Sequence, residues 1–261
     1  MTPTLPNDFE VVQAGDPTTR TALVLHGGGG PQTVASIVGH LAPPFHVLAP
    51  THPGWNGTSR PDDIASVAAL ASAYLDLLRA EGDRDVVLIG SSIGGWIALE
   101  MAVQAASDSS YLGIIGAVVD IDGVGVVVDG EPIADFFGLD ARGLAEVAWH
   151  DPDRGYLDPD GLTGQQRAVQ KSNGQTMSVI AGRGMSDPTL LARLRAIDVP
   201  TLVVFGESDR VVTPAYGRAV SDSITAAEFV EVPAAGHLPH LENPEATWAL
   251  IDPFLARLGR H

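Results

Sequence analysis

The chain has 261 residues, of which 45% are hydrophobic and none is cysteine. That length and apolar content suit one large domain with a sizeable core and exclude a disordered chain, while the missing cysteine excludes disulfides, thiolate nucleophiles and cysteine metal ligands. The formal net charge is −17, and Lys171 is the only lysine. Such a balance argues against nucleic acid or anionic lipid as a partner and fits a protein kept monodisperse by its own charge.

Taken in chain order, Met1–Glu10 shows no basic region followed by an apolar run. No secretory signal is expected, and the location is expected to be cytoplasmic. No window approaches 18 consecutive apolar residues, so no membrane span is expected either. Phe9–Gln13 predicts a weak first strand. Ala22–Leu25 is a short apolar run that ends at His26-Gly27-Gly28-Gly29-Gly30, and Phe45–Ala49 predicts the next strand. Ile64, Val67, Ala68, Ala71, Leu75 and Leu78 recur at helical spacing and predict an amphipathic helix over Asp62–Arg79. Val86–Ile89 reads as a buried strand, Ile93–Ala106 as a helix and Ile114–Ile121 as another strand. From about Asp129 to about Ile197 no strong strand pattern occurs, and this stretch predicts a mostly helical insertion. Alternation then resumes: Thr201–Phe205 and Glu228–Val232 as strands, Pro214–Ser221 and Pro244–Leu258 as helices. Short β runs alternating with longer helical patterns imply βαβ units and a parallel sheet. The expected organisation is a core of residues 1–128 and 198–261, with 129–197 as a helical lid.

The chemistry concentrates at Val86-Val87-Leu88-Ile89-Gly90-Ser91-Ser92-Ile93-Gly94-Gly95, where a strand runs into Gly-x-Ser-x-Gly and then a helix. A serine hydroxyl is a poor nucleophile and must be held out of the sheet, facing a base. A sharp strand-to-helix turn does this at the expense of backbone strain at Ser92. Gly90 and Gly94 flank it because side chains there would collide inside the turn. The following helix points its N-terminal N–H groups at the site. Ser91 occupies the variable position of the motif. The five-residue motif is common by itself, and its placement between strand and helix gives it weight against a plain corner.

A serine nucleophile needs a base and an acid to orient that base. The chain order serine, acid, histidine is one of the established triad orders. Asp209 lies just beyond the strand ending at Phe205, and His237 just beyond the strand ending at Val232. Both positions are strand ends, where parallel sheets gather their sites. Asp122 and Asp120 close the preceding strand and compete with Asp209 as the acid, and Glu207 lies deeper in the same turn. His240 stands three residues past His237, but no third ligand stands near enough to suggest a metal. A developing oxyanion needs preorganised donors, and the expected pair is the backbone N–H of Ile93 and that of Gly28 in the glycine-rich loop. No Gly-Lys-Ser/Thr follows that loop, which argues against a phosphate loop. His26 ends a strand and is expected to brace the loop.

These residues, together with His52-Pro53-Gly54-Trp55-Asn56-Gly57-Thr58-Ser59, Gly206-Glu207-Ser208-Asp209-Arg210-Val211-Val212-Thr213-Pro214 and Gly236-His237-Leu238-Pro239-His240-Leu241-Glu242, resemble the α/β-hydrolase superfamily over nearly the whole chain. The resemblance implies an eight-stranded, mostly parallel sheet, reduced to seven where the short N-terminus omits the first strand. It also implies a helical cap after the sixth strand, an acyl-enzyme mechanism and no cofactor. The glycine-rich loop resembles that of carbon–carbon bond hydrolases acting on ring-cleavage products. Those relatives usually carry Trp after the catalytic histidine, where this chain has Leu238.

The expected activity is therefore hydrolysis of a small, largely apolar ester or lactone, with a small-molecule substrate, no nucleic acid or membrane partner, and neither metal nor cofactor. Carbon–carbon bond hydrolysis ranks second. A non-catalytic ligand receptor and cofactor-independent oxygen chemistry on the same fold are further alternatives. An epoxide hydrolase or haloalkane dehalogenase would need aspartate at Ser92. Trp96, Phe136, Phe137 and Trp149 are candidates for pocket lining, with plain core packing as the simpler reading of each. Oligomeric state is not legible in the sequence.

Overall fold

The computed structural model describes residues 4–6 and 8–259. Seven strands form one sheet: β1 (Val11–Ala14), β2 (Thr21–Leu25), β3 (His46–Pro50), β4 (Val86–Ser91), β5 (Ile115–Ile121), β6 (Thr201–Gly206) and β7 (Ala227–Val232). Their spatial order is β1-β3-β2-β4-β5-β6-β7. β1 runs antiparallel to β3, and every other pairing is parallel. Among the described residues the sheet has seven strands, the reduced form of the eight-stranded sheet that the resemblance implies. The helical segment consequently leaves after the fifth strand of this chain rather than the sixth.

β2 and β4 are buried at every position. A parallel sheet covered on both faces selects such unbroken apolar runs. Alternate residues still serve opposite faces: Leu23 and Leu25 enter one apolar cluster, Ala22 and Val24 the other. The first cluster is closed by α2 (Val67–Glu81) and α3 (Ile93–Ser107), the second by α1 (Ala35–Leu41) and the last helix.

Two differences from the sequence reading have local causes. The helix expected from Asp62 begins at Val67, because Ser66 is extended (φ −153°, ψ 161°) and its side chain caps the Ala69 N–H. Ile64 is nevertheless fully buried, so its hydrophobicity reports packing rather than helix. α1 was not expected. It is only seven residues long and buries just Ile37 and Leu41, one i,i+4 pair.

Between β5 and β6 run α4 (Ala141–Ala148), α5 (Pro152–Gly155), α6 (Gly164–Ile180) and α7 (Leu190–Arg193). α6 starts on a capping box formed by Thr163 and Gln166. After β6 come α8 (Pro214–Asp222), then β7, α9 (Pro239–Glu242) and α10 (Pro244–Leu258). The carboxyl ends of β2, β4, β5, β6 and β7 converge, bringing His26, Ser92, Asp122, Asp209 and His237 to one edge of the sheet.

Candidate active site

Ser92 stands between β4 and α3 with φ 58° and ψ −120°, a conformation that L-residues rarely adopt. The turn leaves no space for flanking side chains. A Cβ on Gly90 would lie 2.1 Å from the Gly94 carbonyl oxygen, and one on Gly94 would lie 2.1 Å from that of Leu25. The Ser92 N–H donates to the Ile121 carbonyl (2.9 Å), tying the elbow to the neighbouring strand.

The structure brings Ser92, His237 and Asp209 into one chain of hydrogen bonds. His237 Nε2 lies 2.9 Å from Ser92 Oγ, and His237 Nδ1 lies 2.8 Å from Asp209 Oδ2. The other Asp209 oxygen accepts from the Val211 and Val212 N–H groups (2.7 and 3.2 Å). With those donors in place, Oδ2 is left for the imidazole. His237 and Asp209 are buried, and Ser92 is half-buried.

The glycine-rich loop passes beside the serine. A Cβ on Gly27 would sit 3.3 Å from Ser92 Cβ. Neither the Gly28 nor the Ile93 N–H has a hydrogen-bond partner among the described residues. For Ile93 this follows from its place as first residue of α3. The loop is braced from below by buried aromatics. His26 Nδ1–H donates to the Gly27 carbonyl (2.7 Å), and His26 Nε2 accepts from the His52 N–H (3.0 Å). His52 Nε2–H donates to the His26 carbonyl (3.0 Å), and its Nδ1 accepts from the Tyr74 hydroxyl (2.6 Å). These partners require both rings to be neutral. Burial enforces this, lowering His26 to about 4 and His52 well below the usual histidine range. Trp55 Nε1–H completes the brace by donating to the Gly28 carbonyl (3.0 Å).

The remaining candidates take other places. Glu207 is exposed and accepts from the Ala234 N–H. His240 is held by the Thr33 carbonyl, to which its Nε2–H donates (2.9 Å), and burial lowers it to about 4. Asp120 is fully buried, wedged against Gly95 and Gly123 with no hydrogen-bond partner of good geometry; burial raises it to about 7, against a smaller lowering by the Gly123 N–H. Asp209, and not Asp122, is the carboxylate hydrogen-bonded to His237 Nδ1. Asp122 lies beside it, with one oxygen accepting from the Gly206 N–H (2.9 Å). Trp96 packs against Gly125 in the core and Trp149 against Gly155. Phe136 and Phe137 are partly buried against the larger apolar cluster.

Two features were not anticipated. The stretch 146–151 is gripped by the two loops that carry Asp209 and His237. Ala148 O accepts the His237 N–H (2.7 Å), while Glu146 O and Trp149 O accept from the Arg210 guanidinium. Glu242 is buried and accepts three N–H groups, from His150 (3.1 Å), Asp151 (2.8 Å) and Gly236 (2.7 Å). Separately, α6 covers the glycine-rich loop. Thr176 donates to the Gly54 carbonyl, Asn173 binds Asn56, and the Met177 sulfur occupies the space a Gly28 Cβ would need. Partners this distant in sequence leave no local pattern to read.

A parallel sheet with a strained serine elbow and a His–Asp pair at its carboxyl edge defines a class of fold, and the sequence pattern of the alpha/beta hydrolase family matches residues 22–250. The chain belongs to that family. It is 25% identical over 252 residues to a 2-hydroxy-6-oxo-6-(2'-aminophenyl)hexa-2,4-dienoic acid hydrolase of Metapseudomonas resinovorans, covering 90% of this chain and 83% of that protein. Similar solved structures include a thermophilic esterase from Thermogutta terrifontis (TM-score 0.75, 20% identity, 98% and 97% of the two chains). An enol-lactonase from Burkholderia xenovorans LB400 is also similar (TM-score 0.74, 19% identity, 95% and 96%). No helix among the described residues is long and apolar enough to cross a membrane.

Proposed function

We propose that this hydrolase cleaves a small, largely apolar ester or lactone through an acyl-enzyme intermediate, with Ser92 as nucleophile. The observation that carries the reading is the chain Ser92 Oγ–His237 Nε2 (2.9 Å) and His237 Nδ1–Asp209 Oδ2 (2.8 Å). His237 Nε2 takes the hydroxyl proton as Oγ attacks the substrate carbonyl. The resulting imidazolium is held in place and stabilised by the Asp209 carboxylate. The Ile93 and Gly28 N–H groups receive the oxyanion. The tetrahedral intermediate collapses, the imidazolium gives its proton to the leaving oxygen, and water repeats the sequence to release the acid and restore Ser92. The apolar side chains next to the loop, Met177 and Ile93 among them, favour an uncharged acyl group. Residues 129–197 act in this reading as a lid that selects the substrate, with α6 over the glycine-rich loop.

The test is turnover of a graded series of p-nitrophenyl esters and of simple lactones by the wild type and by Ser92→Ala. Ester or lactone turnover in the wild type, with kcat reduced by about 10⁶ in the variant, is the expected result. Undiminished turnover in the variant would defeat the reading. A second reading follows from the likeness to the Metapseudomonas hydrolase and from the resemblance of the His26-Gly27-Gly28-Gly29 loop to that of carbon–carbon bond hydrolases: cleavage of a carbon–carbon bond in a dienoate. Faster turnover of such a dienoate than of any ester in the same series would favour it.

A further inference from the structure

Three acidic side chains, Asp120, Asp122 and Asp209, are buried within one edge of the sheet. Among the described residues, no guanidinium or ammonium group hydrogen-bonds to any of them. Asp209 is well provided with donors, since Val211, Val212 and His237 all point N–H groups at it. Asp122 is not. It sits at the end of β5 in a left-handed conformation (φ 48°) that a side chain adopts only under constraint. Its Oδ1 accepts from the Gly206 N–H (2.9 Å), while its Oδ2 is buried without a hydrogen-bond partner of good geometry. Polar atoms of Asp122, Asp209 and His237 lie within 4.8 Å of one another.

Two carboxylates this close, both out of water and without a cation, cannot both be ionised. The donors decide which keeps the charge. Three N–H groups hold the charge on Asp209, so the proton of the pair resides on the carboxyl with the unpartnered oxygen. From this geometry we infer that Asp122 is a neutral carboxylic acid whose Oδ2–H is directed at the Asp209 carboxylate, making it a positioning residue for the His237–Asp209 pair. The inference rests on the triad reading above. The groups facing Asp122 are Asp209 from the loop after β6, His237 from the loop after β7 and Asp120 on its own strand. Burial and the Asp209 charge both push Asp122 upward from the ordinary carboxylate range, and Asp120 adds to this. The pair carries one negative charge rather than two. Asp122 thereby holds in place the carboxylate that orients His237, while the Gly206 N–H fixes its own orientation.

The experiment compares the full-length wild type with Asp122→Asn and Asp122→Ala. Asparagine copies the protonated acid: Oδ1 still accepts from Gly206 and Nδ2–H donates toward Asp209. Infrared difference spectroscopy at neutral pH should show a protonated-carboxyl band in the wild type that vanishes in Asp122→Asn. A band from Asp120 would persist in both. The pH profile of kcat/KM for p-nitrophenyl acetate is the second readout. Asp122→Asn should retain activity within about threefold, with the acidic limb unmoved. Asp122→Ala removes the donor, and its limb should move to higher pH with about a tenfold loss. An acidic limb displaced about one unit downward in Asp122→Asn, with no lost band, would show that Asp122 is ionised and overturn the inference. Unmoved limbs in both variants would reduce it to a structural residue and overturn it too. Loss of the band in a protein whose Ser92 proves dispensable would leave the proton placement standing and remove the triad reading instead.

Discussion

Glu242→Ala tests whether the stretch 146–151 is structurally part of the catalytic edge. The Glu242 carboxylate is the acceptor for three backbone N–H groups: Gly236, one residue before His237, and His150 and Asp151 from the segment after α4. Its removal leaves the buried Gly236 N–H unsatisfied, while water can reach the N–H groups of the exposed His150 and Asp151. At about 1–3 kcal/mol for the buried donor and about 1 kcal/mol for each of the others, the loss is about 3–5 kcal/mol. For a domain of this size, at about 2–4 °C per kcal/mol, Tm should fall by roughly 6–20 °C. Activity should fall as well. The His237 N–H is held by Ala148 O within the same clamp, and a displacement of about 1 Å at a catalytic group can lower the rate about 10²-fold. Differential scanning calorimetry and the kcat/KM for p-nitrophenyl acetate measure both effects. A variant with unchanged Tm and unchanged kcat/KM would refute the clamp.

Other perturbations separate strain, charge and packing. Ser92→Gly removes the proposed nucleophile but relieves a side chain from φ 58°, ψ −120°. The variant should be inactive and more stable, by about 1–2 kcal/mol, seen as a rise in Tm. Asp120 is raised to about 7 by burial against an unfolded value of 3.8. The folded protein therefore holds a proton on it that the unfolded chain releases above the lower value. The wild type loses stability at this site as pH rises from about 4 to about 7, after which the loss is complete. Asp120→Asn removes that dependence, so denaturant melts should show its stability relative to wild type improving by about 2–4 kcal/mol across that window and flat above it. Met177→Ala opens space over Gly28. The ratio of kcat/KM for long over short acyl p-nitrophenyl esters should rise about tenfold, alongside a stability loss of about 2–5 kcal/mol measured by thermal melting.

Much of the catalytic edge is legible because its signals are local. A buried strand, Gly-x-Ser-x-Gly and a helix are contiguous at Val86–Gly95, and Asp209 and His237 each follow an apolar strand within a few residues. The brace and the clamp are not legible in the same way. His52 and Tyr74 meet across 22 residues, Glu242 and His150 across 92, and Asn173 and Asn56 across 117. Each is an ordinary polar residue until the fold supplies its partner. α1 is not legible because seven residues with two buried positions carry too little periodicity. The start of α2 is obscured because Ile64 is buried by tertiary packing outside the helix. In sequence Asp122 reads only as a substitute for Asp209, since sequence order cannot show that both acids occupy one buried space.

Ser92 is the centre of the account, and labelling with a fluorophosphonate followed by peptide mass spectrometry addresses it most directly. The account predicts near-stoichiometric modification of the peptide containing Ser92, abolished in Ser92→Ala and strongly slowed in His237→Ala. An unlabelled protein that still turns over esters, or a label on any other residue, would contradict it.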